Sequence, residues 1–157
     1  MKTALFAGSF DPITIGHLDI ITKASQMFEK LYIGVAINPE KKNKYMFNTD
    51  KRIEMVCKAT KHITNAEVVE IKGFLYKFCI EKNINILVRS FRDNIDISYE
   101  ENLARFNQDF KPDLITTYIA SDPNLKHISS SAIRQLLNAG ESVKKYIPSN
   151  IIDICKI

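Results

Sequence analysis

The sequence predicts an α/β protein built on a Rossmann-like, doubly wound sheet of five parallel strands, followed by C-terminal helices. Short apolar runs alternate with longer segments of helical period, which is the pattern of strand–helix–strand units. The 157 residues suit one domain over 1–157, with no linker or internal repeat. Right-handed crossovers bring the strand-to-helix loops to one sheet edge, where such folds bind ligands.

The elements follow in order along the chain. Five runs rich in Val, Ile, Leu and Tyr predict strands over 3–7, 31–37, 67–71, 84–88 and 114–120. Helical spacing predicts helices over 16–28, 50–62, 74–82, 97–110, 130–138, 142–146 and 149–154. The residues predicted to face the core from the first, second and fourth helices are Leu18, Ile21, Ser25 and Phe28; Ile53, Val56, Cys57 and Thr60; and Leu103, Phe106 and Phe110.

Composition narrows the class of protein. A formal net charge of +4 suits an anionic ligand, although the same surplus often serves solubility alone. Cys57, Cys79 and Cys155 form no zinc-type cluster, and their odd number argues against a disulfide framework. Cys57 and Cys79 fall in apolar patterns typical of core cysteines. With neither a leader-like start nor an apolar run long enough for a membrane span, we expect a reducing, cytoplasmic location and no membrane partner.

The loop between the first strand and the first helix carries the motif Thr14-x-Gly16-His17. It is neither a P-loop nor a dinucleotide-binding fingerprint. Gly8 is expected to make a tight turn, and Gly16 to let a phosphate approach the backbone. The positive end of the helix dipole favours a neutral His17 imidazole that donates an N–H to a phosphoryl oxygen. The motif predicts phosphoryl chemistry without a covalent intermediate; the structural alternative is an incidental helix start.

Three further loops at the same predicted sheet edge carry groups that suit phosphates. They follow the second, fourth and fifth strands and contain Lys41, Lys42 and Lys44; Arg89 and Arg92, which bracket a predicted turn; and Ser129, Ser130 and Ser131. Each also has a purely structural interpretation. The lysines and arginines could be a solvated surface, and one serine is expected to be the N-cap of the next helix.

These segments resemble the T/HxGH nucleotidyltransferase superfamily and, within it, the bacterial phosphopantetheine adenylyltransferases. The resemblance extends nearly from end to end, through the motifs at 8–17, 38–42, 89–92, 99–100 and 128–131 in the family's order. It implies the transfer of an adenylyl group from ATP to 4′-phosphopantetheine, which gives dephospho-coenzyme A and pyrophosphate. The family usually has Gly and Leu where this chain has Ser90 and Phe91, and an aromatic-rich segment where it has residues 125–127.

The resemblance also implies roles for individual residues. The implied catalytic residues are His17, Lys41 and Arg92. The acceptor substrate is expected to contact Ser9, Lys41, Leu75 and Arg89. The expected ATP contacts are Ser9, Phe10, His17, Ser90, Phe91, Arg92, Glu100, Leu125, Lys126, His127, Ile128, Ser129, Ser130 and Ser131.

Cofactor and partners follow from the same resemblance. It implies Mg²⁺ held by ATP and water and not by a metal site of the protein, a homohexamer, and coenzyme A as a feedback inhibitor. Two alternatives remain open. Another T/HxGH enzyme, acting on nicotinamide mononucleotide or a cytidylyl acceptor, shares the first loop. A non-catalytic nucleic-acid binder would use the basic surface, but the lysines are not interleaved with aromatics, so we expect no nucleic-acid partner.

Overall fold

The computed structural model describes residues 2–39, 44–91 and 94–156, with backbone only for 94–99. Its strands are β1 Thr3–Gly8, β2 Lys30–Ile37, β3 Ala66–Lys72, β4 Ile86–Phe91 and β5 Ile115–Ala120. Its α-helices are α1 Ile15–Met27, α2 Thr49–Thr60, α3 Leu75–Glu81, α4 Asn94–Phe110 and α5 Ser130–Asn138. Short 3₁₀ turns cover Pro123–Leu125 and Ser149–Ile151.

The five strands form one parallel sheet in the order β3-β2-β1-β4-β5. β1 lies at the centre, where Ala4 pairs with Leu31 of β2 on one side and with Ile86 of β4 on the other. The strand order reverses at this point, so the loops that follow β1 and β4 diverge and leave a crevice between them. The predicted doubly wound fold is confirmed, and its ligand-binding edge lies beyond the ends of β1 and β4.

Packing on both faces of the sheet explains the continuous apolar run over residues 4–7 of β1. Ala4 and Phe6 belong to a large core cluster that includes residues of α1, α2 and α5. Leu5 and Ala7 face a smaller cluster that contains Cys79 of α3. Because successive side chains of a strand point to opposite faces, a continuous apolar run is what a doubly covered strand requires. This packing holds the first loop on a rigid base.

The C-terminal region differs from the prediction. The predicted helix over 142–146 is wrong, since 144–146 form only a turn, and the one over 149–154 reduces to the 3₁₀ turn Ser149–Ile151. Val143 and Ile147 are buried and anchor the segment to the core. The carbonyl of Tyr146 accepts a 3.0 Å hydrogen bond from the N–H of Ile15. That bond ties the segment to the start of α1.

Strand β4 is also longer at its carboxyl end than predicted. It starts at Ile86 and runs through Phe91, so Arg89, Ser90 and Phe91 lie in the strand and not in a turn. Each pairs with a residue of β5, and the N–H of Ser121 donates to the carbonyl of Phe91 at 3.3 Å. This non-local pairing cannot be read from the polar residues of the strand itself.

Two predicted helical faces are rotated. In α2 Cys57 is exposed, and the buried positions are Arg52, Met55, Val56, Ala59 and Thr60. In α4 Phe106 and Phe110 are exposed, each by at least 60%. Leu103 faces inward as predicted, and Glu100 and Asn107 line the same small cavity. In both helices a polar residue, Arg52 or Glu100, occupies a buried position that the apolar spacing did not predict.

The cysteines of the described chain are all reduced. Burial raises the pKa of the Cys79 and Cys155 thiols to about 11 each, as expected for cysteines that serve as small core residues. Within the described segments, no helix combines the length and apolar character needed to cross a membrane.

The packing around Gly34 predicts the effect of adding one methyl group inside the sheet. Gly34 in β2 faces Ile71 so closely that a Cβ there would overlap the Ile71 side chain and lie 3.2 Å from Leu5 Cδ1. We expect Gly34→Ala to lower the free energy of unfolding by about 1–3 kcal/mol, the usual cost of overpacking. Urea unfolding measures this cost.

Ile71→Val provides the matched control because it removes the Cδ1 atom that causes the overlap. The double variant should be less destabilised than the sum of the two single variants. Strictly additive losses would contradict this close approach.

Candidate active site

A cleft of about 790 Å³ opens at the carboxyl ends of β1, β2 and β4. It is lined by Ala7, Gly8, Ser9, Ala36, Ile37, Asn38, Pro39, Tyr45, Gly73, Phe74, Leu75 and Arg89. A smaller cavity of about 240 Å³ shares the side of Gly73, Leu75 and Arg89 and reaches Glu100 and Asn107 on α4. The structure thus brings together Ser9, Leu75 and Arg89, three residues predicted to contact the acceptor.

The first loop turns at Phe10 and not at Gly8. Phe10 has a φ of 49°, in the left-handed region, and its side chain is 1% exposed. Its ring packs edge-on against Phe6 and His17, with centroids 6.0 and 5.1 Å away. A Cβ on Gly8 would lie 3.4 Å from that ring, so Gly8 provides room for the ring without making the turn itself. Any contact of Phe10 with ATP must therefore come from its backbone.

A reciprocal capping box holds the His17 imidazole. Thr14 is the N-cap of α1, and its Oγ1 accepts a 3.3 Å hydrogen bond from the N–H of His17. In return, Nδ1 of His17 accepts a 3.0 Å hydrogen bond from the N–H of Thr14. A backbone N–H can only donate, so Nδ1 is unprotonated and the neutral ring carries its proton on Nε2. The sequence predicted a neutral imidazole from the helix dipole, and this hydrogen bond adds a second reason.

Asp11 joins the first loop to two other segments. Its carboxylate is 2% exposed and accepts hydrogen bonds from the N–H groups of Met46 and Phe47 at 3.0 and 2.9 Å. Its carbonyl accepts a 2.8 Å bond from Nη1 of Arg134 on α5. Sequence analysis gave Asp11 no role. A carboxylate next to a proline in a phosphate-type loop was the signal available for it.

The N-terminus of α5 lies beside the first loop. Ser129 is its N-cap, as predicted for one of the three serines, and accepts a 3.1 Å bond from the N–H of Ala132. Ser130 Oγ donates to the carbonyl of Pro12 at 2.8 Å, and Ser131 Oγ accepts from Arg134 at 3.2 Å. The N–H groups of the first helical turn lack intrahelical acceptors, so this end of α5 suits an anion.

Arg89 and Glu100 form an ion pair. Glu100 is 8% exposed, and its two oxygens accept from Nε and Nη2 of Arg89 at 2.6 and 2.7 Å. Nη1 of Arg89 donates to the carbonyl of Ala7 at 3.1 Å. Burial, and next the charges of Glu100 and Glu101, raise the pKa of nearby Tyr118. Arg89, predicted to contact the acceptor, and Glu100, predicted to contact ATP, therefore bind each other directly.

Other predicted residues are less engaged or cannot be described. Lys41 and Arg92 lie outside the described residues. Leu125 ends a 3₁₀ turn and is half-buried, and the following Lys126 and His127 are exposed. Ile128 is buried at 7% exposure, so its contribution to a ligand site is limited to backbone groups.

Arg52 is the functional candidate that sequence analysis missed. Its side chain is fully buried, and Nη1 donates to the carbonyls of Ser9 and Ala36 at 2.7 and 3.0 Å. Both residues line the cleft. Within the described segments, no group of three or more His, Cys, Asp or Glu residues is placed to hold a metal ion.

The chain resembles known proteins in both sequence and fold. Residues 5–136 match the cytidylyltransferase-like family. Two solved structures share the fold. A putative nicotinate-nucleotide adenylyltransferase from Vibrio parahaemolyticus has a TM-score of 0.69 and 17% sequence identity, and the match covers 98% of this chain and 91% of that one. A lipopolysaccharide core biosynthesis protein from Thermoplasma volcanium GSS1 has a TM-score of 0.55 and 16% sequence identity, and the match covers 78% of this chain and 97% of that one. Sheet order, switch-point cleft and family match together define a nucleotidyltransferase.

Two full-length relatives narrow this class. The phosphopantetheine adenylyltransferase of Clostridium tetani is 38% identical over 99% of this chain and 97% of its own length. The phosphopantetheine adenylyltransferase of Clostridium botulinum strain Alaska E43 is 39% identical over 97% of this chain and 94% of its own length. The chain belongs to the phosphopantetheine adenylyltransferase family.

The Arg89–Glu100 pair makes a specific stability prediction. Glu100→Gln leaves a largely buried guanidinium with a neutral partner, so we expect it to lower the free energy of unfolding by about 3 kcal/mol. Glu54→Gln is the matched control, because Glu54 pairs with Lys58 where both side chains are half exposed; its cost should stay below about 1 kcal/mol. Equal losses in urea unfolding would show that the buried pair does not form in solution.

Proposed function

We propose that this chain transfers the adenylyl group of ATP to 4′-phosphopantetheine, giving dephospho-coenzyme A and pyrophosphate in coenzyme A biosynthesis. The observation that carries the proposal is the Thr14–His17 capping box, in the same loop as Gly8 and Ser9, which line the switch-point cleft. The chain is also 38% identical over nearly its whole length to a phosphopantetheine adenylyltransferase. An oxygen of the acceptor phosphate forms a bond to the α-phosphorus of ATP. The bond from that phosphorus to the α–β bridging oxygen breaks, and pyrophosphate leaves with the electron pair.

The chemistry needs position and charge more than proton transfer. The acceptor phosphate is already an anion, so no general base is required. The barrier comes from bringing two polyanions together in line, and fixed alignment can contribute roughly 7–11 kcal/mol in the best intramolecular cases. Fixed donors that meet charge as it develops supply much of the remainder. A rigid loop on a doubly packed strand suits this task.

We assign His17 as the donor to the reacting α-phosphoryl group. With Nδ1 committed to the N–H of Thr14, the donor of the neutral ring is Nε2–H. A neutral donor stabilises the growing charge on a phosphoryl oxygen without itself giving up a proton. By the family resemblance, Lys41 and Arg92 supply the accompanying positive charges.

The two substrates are assigned to neighbouring parts of the site. The acceptor occupies the cleft, where Ser9 and Arg89 meet its phosphate and Leu75 borders the pantetheine arm. The triphosphate of ATP lies at the start of α5, with Ser129, Ser130 and Ser131. Family resemblance adds ATP contacts from Phe10, Ser90, Phe91, Leu125, Lys126, His127 and Ile128. We assign Glu100 to orienting Arg89, because both of its oxygens accept bonds from that guanidinium.

The family of nucleotidyltransferases suggests a divalent metal, and we propose Mg²⁺ carried by ATP. The donor set is consistent with this, because the carboxylate of Asp11 accepts two backbone N–H bonds and that of Glu100 is paired with Arg89. A magnesium ion held by phosphate oxygens and water fits such surroundings. When bound, it neutralises charge on the triphosphate and on the leaving pyrophosphate.

Assembly, regulation and location rest on the resemblance. We propose a homohexamer with coenzyme A as a feedback inhibitor at the active site, in the cytoplasm. Exposed apolar side chains on α3 and α4, Ile80, Phe106 and Phe110, are of the kind that subunit contacts cover. The three reduced cysteines suit a reducing compartment.

Pyrophosphate release with a panel of acceptors tests the function. With ATP, we expect 4′-phosphopantetheine to support turnover and nicotinamide mononucleotide, nicotinate mononucleotide and random RNA to support none. His17→Ala should lower kcat by about 10³-fold, as the loss of one positioned donor does, while ATP affinity changes little.

His17→Gln separates catalysis from stability. A Gln at this helical position can also reach the N-cap N–H, so it should recover the unfolding free energy of about 1 kcal/mol that Ala loses. We expect it to recover less of the rate, because its amide replaces the ring imperfectly. Turnover of His17→Ala at the wild-type rate would remove His17 from the mechanism, and turnover of another acceptor alone would replace the proposed substrate.

A further inference from the structure

Arg52 is an arginine buried in an unusual way. Its side chain is 0% exposed, and in the segments that the structure describes no carboxylate pairs with its guanidinium. Nε is buried without a hydrogen-bond partner there. Arginines are almost never fully buried unless they are paired. A cation kept inside without an anion needs an explanation beyond filling space in the core.

The guanidinium joins the carboxyl ends of two adjacent strands. Nη1 donates to the carbonyl of Ser9, just after β1, at 2.7 Å and to that of Ala36 in β2 at 3.0 Å. Nη2 lies 3.4 Å from Oγ1 of Thr49, at the start of α2. Ser9 and Ala36 both line the large cleft. Arg52 therefore fixes the distance between the Ser9 and Ala36 backbones, which form two walls of that cleft.

The flat face of the same group reaches the next loop. The guanidinium carbon of Arg52 lies 4.0 Å from the ring centroid of Tyr45, a distance typical of cation–π contacts. The hydroxyl of Tyr45 accepts a 3.0 Å hydrogen bond from the N–H of Asn38. Asn38 and Tyr45 stand on either side of Lys41 in the sequence. The contact with Tyr45 thus connects Arg52 to the backbone of Asn38, another residue that lines the cleft.

We propose that Arg52 is a positioning residue for the transfer reaction: its guanidinium fixes the Ser9 backbone and, through Tyr45, the backbone of Asn38, at two walls of the cleft assigned to the acceptor phosphate. The inference rests on the proposed function, which assigns the acceptor phosphate to the cleft that Ser9 and Asn38 line. The positive charge of Arg52 has no carboxylate partner in the described segments, so it also favours the anions that enter the cleft.

Arg52→Lys separates positioning from charge. Lysine keeps the positive charge but has no planar group that can donate to both carbonyls, reach Thr49 with a second nitrogen and stack flat on Tyr45 at the same time. We expect kcat to fall about 100-fold and KM for 4′-phosphopantetheine to rise, as for a displacement of about 1 Å at a reacting centre. KM for ATP should rise less than KM for the acceptor, because the start of α5, to which the triphosphate is assigned, makes none of these contacts. Thermal melting of each variant is measured in parallel.

Tyr45→Phe tests the same connection without touching the buried charge. It removes only the hydroxyl that accepts from Asn38, and Tyr45 is half-buried, so the fold should tolerate the change. We expect kcat/KM for the acceptor to fall about tenfold, the weight of one hydrogen bond. Tyr32→Phe, near the other end of β2, is the matched control and should leave turnover unchanged.

The outcomes are distinct. A lower kcat and a higher acceptor KM in both Arg52→Lys and Tyr45→Phe, with ATP binding retained, support the positioning role. Wild-type kcat and acceptor KM in both variants overturn it. If Arg52→Lys does not fold, Tyr45→Phe decides alone: a wild-type acceptor KM and kcat there overturn the inference. A wild-type protein that does not adenylylate 4′-phosphopantetheine refutes the proposed function instead, before any variant is compared.

Discussion

The hydrogen bond from the N–H of Thr14 to Nδ1 of His17 is the constraint on which the site depends. It fixes the ring at the start of α1, leaves the proton of the neutral imidazole on Nε2, and satisfies a backbone group that the helix end would otherwise leave without a partner. One interaction therefore serves both the fold and the proposed chemistry. The loop can hold this geometry because it follows β1, which is packed on both faces of the sheet.

Buried charged groups connect the first loop and β1 to the neighbouring segments through hydrogen bonds. Asp11 binds the backbone before α2 and lies against Arg134 of α5, Arg52 joins β1 to β2, and Arg89 joins β1 to α4. Burying each of these groups costs free energy, which the hydrogen bonds to its partners offset. Elements that are distant in sequence are thereby held at one sheet edge. In the proposed reaction, the two anionic substrates meet donors already in place there.

Much of this fold could be predicted from the sequence, because apolar period and loop chemistry are local signals. The alternation of strands and helices, the first-loop motif and the N-cap serine all belong to that class. The failures involve non-local contacts. Pairing with β5 extends β4 through Phe91. The carbonyls of Ser9 and Ala36 accept hydrogen bonds from Arg52, which is buried on α2 while Cys57 of the same helix is exposed. The carboxylate of Glu100 looked like an independent ATP contact until the fold brought Arg89 beside it.

The most direct test of the account is the tautomer of His17, measured by long-range ¹H–¹⁵N NMR on the protein labelled in its histidine rings. His17→Gln assigns its signal among the three histidines of the chain. At neutral pH we expect the nitrogen shifts of a neutral ring, with an unprotonated Nδ1 and a protonated Nε2. A ring protonated on Nδ1, or an imidazolium at that pH, would contradict the capping geometry and the donor role that follows from it.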